Sequence, residues 1–175
     1  MLKALAIVLS IAASEEPLAC GPHVIVTIKE SSPDLIVVKN ASAPGWSVQS
    51  LDIDLNPSIG GVYVDYGIGG EAESTPHSSA RAGKAKLEKL SGASGGSRAI
   101  AMQFSGFASP ETFYVRLDFD NDRETREFGQ DYIDPFEVGG ATFSANLTHE
   151  TGGETTLTGT IGPDGIGAIG GGGCV

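Results

Sequence analysis

The sequence predicts an all-β protein: a single antiparallel β-sandwich, jelly-roll-like, behind an N-terminal signal peptide. Three observations lead there. Short runs alternate apolar and polar residues with period two, clusters of Gly, Pro, Ser and Asp separate the runs, and no βαβ rhythm appears. Strands with one apolar face each need a second sheet to cover that face, which means two sheets packed together.

The first element is a targeting segment. Met1-Leu2-Lys3 is a short positive start, Ala4 to Ala13 is apolar, and Ala12-Ala13-Ser14 is followed at once by Glu15-Glu16-Pro17. This is the three-part pattern of a secretory signal peptide covering residues 1–14. The competing reading is a buried first strand or helix. The run is well short of the ~20 residues that span a bilayer, so no membrane span is expected. Leu18-Ala19-Cys20 resembles a lipoprotein site, but Pro17 sits where an aliphatic residue belongs. The expected location is secreted, periplasmic or at the cell surface.

The remaining 15–175 read as one domain. His23 to Lys29 puts Val24, Val26 and Ile28 on one side, and Asp34 to Asn40 is a second strand. Leu51, Ile53 and Leu55 alternate with Asp52 and Asp54, and Val62 and Val64 with Tyr63 and Asp65. Ile100, Met102 and Phe104 form the next apolar face. Phe113, Val115, Leu117 and Phe119 follow, then Phe143, Ala145 and Leu147. Ser31-Ser32-Pro33, Ala43-Pro44-Gly45, Ala108-Ser109-Pro110 and Pro163-Asp164-Gly165 mark turns. Ala80 to Leu90 is the one helical candidate and scans equally as a strand. Residues 68–79 and 91–97 read as loops. The last 25 residues hold ten Gly, yet Leu157, Ile161, Ile166 and Ile169 predict packed strands to about residue 169.

Composition excludes several functions. The chain carries 22 acidic and 11 basic side chains, a formal charge of −11. Nucleic-acid wrapping needs a basic face, and anionic lipid repels such a chain. Three His and two Cys leave little material for a zinc site. In an exported chain the pair Cys20 and Cys174 suggests one disulfide joining the two ends. Two free thiols, or one thiol paired with a partner protein, are the alternatives.

The sharpest polar cluster is Asp118-Phe119-Asp120-Asn121-Asp122-Arg123-Glu124. Asp118 and Asp120 share a strand face, with Asp122 and Glu124 in the following turn. Clustered carboxylates at a strand end suit a hard cation such as Ca²⁺. The spacing is not that of an EF-hand, because Arg123 replaces the turn Gly and no Glu occupies the twelfth position. The alternative is a solvated acidic tip neutralised by Arg116, Arg123 and Arg126. Asp52, Asp54 and Asp65 could add ligands only if their strands lie alongside.

Gly92-Ala93-Ser94-Gly95-Gly96 matches G-x-S-x-G, which has meaning only at a strand-to-helix turn; here it precedes the strand-like Arg98 to Met102. Trp46, Tyr63, Tyr66 and Tyr114 are candidates for a sugar-stacking face, Trp46 and Tyr114 foremost. Trp46 reads equally as a strand-start core residue. Arg81, Lys84, Lys86, Lys89 and Arg98 form a basic island, whereas residues 111–137 hold nine acids and three bases. Opposed patches of this kind could join one copy to the next, or be solvated surfaces of a monomer. Asn40-Ala41-Ser42 and Asn146-Leu147-Thr148 are glycosylation sequons.

Glu30 to Asn40, Ser50 to Asp65, Phe104-Ser105-Gly106-Phe107, Leu117 to Asp122 and Val138 to Ala145 together carry a resemblance. They resemble small exported bacterial proteins named aggregation factor core, over most of residues 24–165. The Cys pair and the basic segment 81–89 lie outside that pattern. The resemblance implies adhesion or aggregation at a cell surface and supplies no catalytic residue. The expected function is therefore an exported, non-enzymatic adhesion or surface-matrix protein, calcium-dependent through Asp118, Asp120, Asp122 and Glu124. Its partners would be other copies or cell-surface and matrix glycans. The alternative is a calcium-stabilised carbohydrate-binding module using Trp46 and Tyr114. A hydrolase acting through Ser94 or a carboxylate pair has no feature in its favour.

Overall fold

The computed structural model describes residues 20–31, 33–65, 77–80, 83–122 and 133–171. Two five-stranded antiparallel sheets pack face to face, as the alternating runs predict. The first sheet holds β1 (His23–Lys29), β2 (Leu35–Asn40), β5 (His77–Ala80), β8 (Glu111–Arg116) and β12 (Ile166–Gly170), in the order β12-β1-β2-β8-β5. The second holds β3 (Trp46–Asp54), β6 (Lys86–Ser91), β7 (Ala99–Ala108), β10 (Thr142–His149) and β11 (Glu154–Thr160), in the order β11-β10-β3-β7-β6. A two-residue ladder of β4 (Tyr63–Val64) and β9 (Phe119–Asp120) closes one end.

The pleat explains the burial. Val24, Val26 and Ile28 of β1 and Ile36 and Val38 of β2 face inward, and Leu51, Ile53, Ile100 and Met102 meet them from the second sheet. Phe104 and Phe107 of β7 and Phe113 of β8 join the sheets through ring contacts of 5.1, 5.2 and 6.1 Å between centroids. Offset and edge-on geometry adds to their area burial, which alone stabilises by about 2 kcal/mol or more per ring. Leu55, Val62, Val64, Leu117, Phe119 and Ile133 continue the same core under β4 and β9.

Asn40 connects the sheets by polar contact. Its side chain is fully buried at the end of β2 and donates to the Trp46 and Phe107 carbonyls at 3.1 and 3.0 Å. Its Oδ1 accepts from the Ser42 amide at 3.3 Å. The first sequon therefore has its acceptor amide sealed in the core, whereas Asn146 lies on an exposed face.

The Gly-rich end is largely strand, as the Leu157 to Ile169 pattern predicts. Close packing explains two of its glycines: a Cβ at Gly167 would lie 2.4 Å from the Phe143 ring and one at Gly159 2.1 Å from the Ile169 side chain. The helical candidate at 80–90 resolves into strand, with β5 ending at Ala80 and β6 beginning at Lys86. Strand β5 also runs into the stretch 68–79 read as loop. A single helical turn, α1 (Pro135–Val138), was not expected. Asp134 caps it, accepting from the Phe136 amide at 2.8 Å, while Glu137 accepts from the Asp134 amide at 3.0 Å. Among the described residues no helix is long and apolar enough to cross a membrane. The predicted signal peptide at 1–14 lies outside the described residues.

Candidate functional site

Two surfaces carry unusual polar chemistry: an acidic end and a groove on the outer face of the second sheet. At the acidic end, β4 and β9 pair Tyr63 with Asp120, which brings Asp65 to the Asp118 backbone, its amide donating to the Asp118 carbonyl at 2.8 Å. Tyr63 donates its hydroxyl to Asp120 Oδ2 at 3.0 Å. Burial, with that hydrogen bond next, pushes the Tyr63 phenol up to about 12. Arg98 sits 5.6 Å over the Tyr63 ring and forks onto both Asp122 oxygens at 2.7 and 2.6 Å. Asp118 is held above the ordinary carboxylate range, first by burial and then by the charges of Asp65 and Asp120.

Beneath this end lies Asp34, 2 % exposed in the turn between β1 and β2. Its Oδ1 accepts from the Ser31 amide and its Oδ2 from the Phe119 amide, both at 3.1 Å, and its carbonyl accepts from the Leu117 amide. The carboxyl thus clips the acidic segment to the β1–β2 turn. Burial pushes it up to about 7 despite those amides, with Asp118 and Glu30 adding repulsion.

The predicted calcium set is only partly assembled. Asp118 and Asp120 lie together, and Asp65 joins them as its strand pairing allows. Asp122 is turned to Arg98 instead, and Glu124 lies outside the described residues. Among the described residues no group of three or more His, Cys, Asp or Glu is placed to hold a metal ion. Asp52 and Asp54 belong elsewhere, on the outer face of the second sheet. Among the described residues Arg116 turns to the β1–β2 turn: its Nη1 donates to Ser31 Oγ and the Pro33 carbonyl at 3.0 and 3.1 Å. Arg123 and Arg126 lie outside the described residues.

The outer face of β7, β3, β10 and β11 forms an open groove of 820 Å³. Register explains its shape. Thr160, Thr142, Asp54 and Ala99 stand in one cross-strand row and Thr158, Ser144, Asp52 and Ala101 in the next. The small side chains of Ala99 and Ala101 leave the depression, and Gln103 fills the following row. A smaller depression of 400 Å³ on the same face runs past Gln49, Asn146, Thr148 and Glu154. There the side chains bond to one another: Thr156 Oγ1 donates to Asn146 Oδ1 at 2.6 Å, Asn146 Nδ2 to Ser50 Oγ at 2.8 Å, and Gln49 Nε2 to Thr148 Oγ1 at 2.9 Å.

The proposed aromatic pair is not brought together. Trp46 begins β3 in the second sheet, half-buried against the core, with its ring 5.0 Å from that of His149. Tyr114 faces outward from the first sheet, between Val37 and Ser79. Tyr66 lies outside the described residues. Ser94 occupies an exposed turn between β6 and β7, with strand on both sides, so G-x-S-x-G lacks its strand-to-helix context. Gly92 is required there for another reason: φ is +76°, and a Cβ would fall 1.7 Å from the Ala99 carbonyl oxygen. Of the basic island, Lys84, Lys86 and Lys89 are exposed along the β6 edge, Arg98 serves Asp122, and Arg81 lies outside the described residues.

Sequence reasoning missed the groove and the Tyr63–Arg98 partnership. The groove had a signal, since Thr142, Ser144, Asn146 and Thr148 alternate with apolar residues, as do Thr156, Thr158 and Thr160. The Arg98 contact had none, because 24 residues separate it from Asp122. Cys174 also lies outside the described residues, although β1 and β12 run antiparallel toward both cysteines, with His23 opposite Gly170. No known protein family, curated protein or solved structure matches the chain.

Proposed function

We propose that the chain is an exported, non-enzymatic adhesion or surface-matrix protein that associates with further copies when calcium is present. The observation that carries this reading is the gathering of Asp65, Asp118 and Asp120 at one end, where burial first and then the charges of Asp65 and Asp120 raise Asp118, while Arg98 is committed to Asp122. Calcium takes six to eight oxygens, so a partial carboxylate set on one copy is completed by oxygens from another. The resemblance to aggregation factor core proteins points to the same role. In sedimentation velocity, the mature chain is expected to associate reversibly in about millimolar calcium and to return to monomer in chelator. Asp118→Asn and Asp120→Asn should abolish the effect. A chain that stays monomeric with and without calcium would sink the proposal.

The end-to-end disulfide belongs to the same reading, since an exported protein lacking other cross-links benefits from closing its chain. The Gly171 amide donates to the Pro22 carbonyl at 3.1 Å, carrying the pairing outward toward both cysteines. Oxidised protein should yield a linked Cys20–Cys174 peptide by mass spectrometry, and reduction should remove about 4–5 kcal/mol of stability in the loop-entropy account. Two alkylatable thiols in the exported chain would refute it.

A second reading, the carbohydrate-binding module, is favoured by one specific observation, the groove on the second sheet.

A further inference from the structure

We infer that the groove floored by Ala99 and Ala101 binds a neutral saccharide chain. The inference rests on the carbohydrate-binding reading and gives it a site, on the outer face of β3, β10 and β11 rather than at Trp46 or Tyr114.

Unused hydrogen-bonding capacity locates the site. In the neighbouring depression Thr156, Asn146 and Ser50 satisfy one another. In the groove itself Asp52, Thr142, Ser144, Thr158 and Thr160 have no side-chain hydrogen bond or ion pair to any described residue. Their hydroxyls and the Asp52 carboxylate therefore face solvent in an ordered two-row array held by the strand register. A ligand that replaces that water must bring several donors and acceptors at once, as a polyol does.

The groove also selects by surface and charge. Alanine and threonine methyls give its floor an apolar component against which the C–H face of a pyranose ring can lie. Asp52 and Asp54 are the charged side chains of the lining, and Asp54 already accepts from Asn56 Nδ2 at 2.6 Å. With no Lys or Arg in that lining, phosphate, sulfate and uronate polymers are repelled. Shape argues for a chain rather than a single sugar. The groove and the neighbouring depression together follow the seven residues of β11, Glu154–Thr160, about 20 Å along the face at the usual strand rise. The 820 Å³ opening is within the range of small-ligand sites but is open along its length.

Affinity gel electrophoresis of the full mature chain tests this, with soluble neutral glucan, galactan and mannan in the gel and polygalacturonate and a polycationic glucosamine polymer as controls. Retardation by at least one neutral polymer is expected, with none by polygalacturonate. Asp52→Ala and Ser144→Arg lie on the outer face, so the unfolding midpoint should hold while affinity falls about tenfold or more. The inference is overturned if no neutral polymer retards the chain, if both variants bind as the parent does, or if only the polycation binds and salt removes it. Calcium-dependent sedimentation on the same samples separates the two readings. A chain that associates in calcium yet binds no neutral polymer refutes the groove and leaves the acidic-end proposal standing.

Discussion

Replacing Asn40 with Ala should lower unfolding free energy by about 3 kcal/mol, a large share of the 5–15 kcal/mol typical of a domain. The Asn40 side chain is fully buried and bonds two carbonyls and one amide, at Trp46, Phe107 and Ser42. The two carbonyls belong to the second sheet, whereas Asn40 ends β2 in the first and Ser42 follows it in the loop. Truncation leaves them dry, and the Phe107 carbonyl loses a donor that reaches it from the opposite sheet. The Trp46 carbonyl keeps the Ser109 amide at 3.1 Å, which limits the cost. Urea unfolding followed by Trp46 fluorescence measures the change. A loss under about 1 kcal/mol would show that water or a small sheet shift replaces the amide.

Stability should fall as pH rises from about 4 to about 7, by roughly 3–4 kcal/mol from Asp34 alone. The folded carboxyl titrates near 7, against 3.8 for the free side chain. Between those values the native state holds a proton that the unfolded state has lost, so raising pH favours unfolding. Each pH unit in that window is worth about 1.4 kcal/mol. Glu30 and Asp118 face the group and oppose its charge, while the Ser31 and Phe119 amides favour it. Arg116 does not pair with it, bonding Ser31 Oγ and the Pro33 carbonyl. Asp34→Asn should lose one amide contact at every pH and flatten the slope between pH 4 and 7. Parallel stability profiles for parent and variant across that window would dismiss Asp34 as the cause.

The Asp34 effect bears on the acidic end, because its carboxyl holds the Phe119 amide, between Asp118 and Asp120, while its backbone carbonyl holds the Leu117 amide. Calcium near Asp118 removes part of the repulsion that raises both groups. The slope from Asp34 should therefore be shallower in calcium wherever the acidic-end proposal holds.

Much of the architecture was legible in the residues. The inward faces of β1, β8 and β10 follow from period-two alternation alone, since burying one face is the main favourable term for a strand, whereas the continuous apolar run Leu35 to Val38 left the choice of Ile36 and Val38 to the pairing of β2. Segment 80–90 was ambiguous because Lys86, Leu87, Lys89 and Leu90 suit either period, and pairing with β7 decided it. The turn α1 was missed because four residues carry no periodicity, although Asp134, Pro135 and Glu137 spell its cap. At the acidic end the sequence located Asp118, Asp120 and Asp122 but not their fates. Asp65 arrives by the β4–β9 ladder and Arg98 by the β6–β7 turn, and neither separation is encoded locally.

By itself the sequence determined where most of the strands run, which face of the alternating ones is buried and where the charge concentrates, because these depend on neighbours two residues apart. Only the tertiary structure decided which strands lie side by side. That choice turned Asp122 toward Arg98, separated Trp46 from Tyr114 onto different sheets, and aligned Asp52, Ser144 and Thr158 into one row. Cross-strand register brings together residues as far apart in the chain as His23 and Gly170. It is set by how two whole apolar faces interlock, a property of the assembled core rather than of any segment.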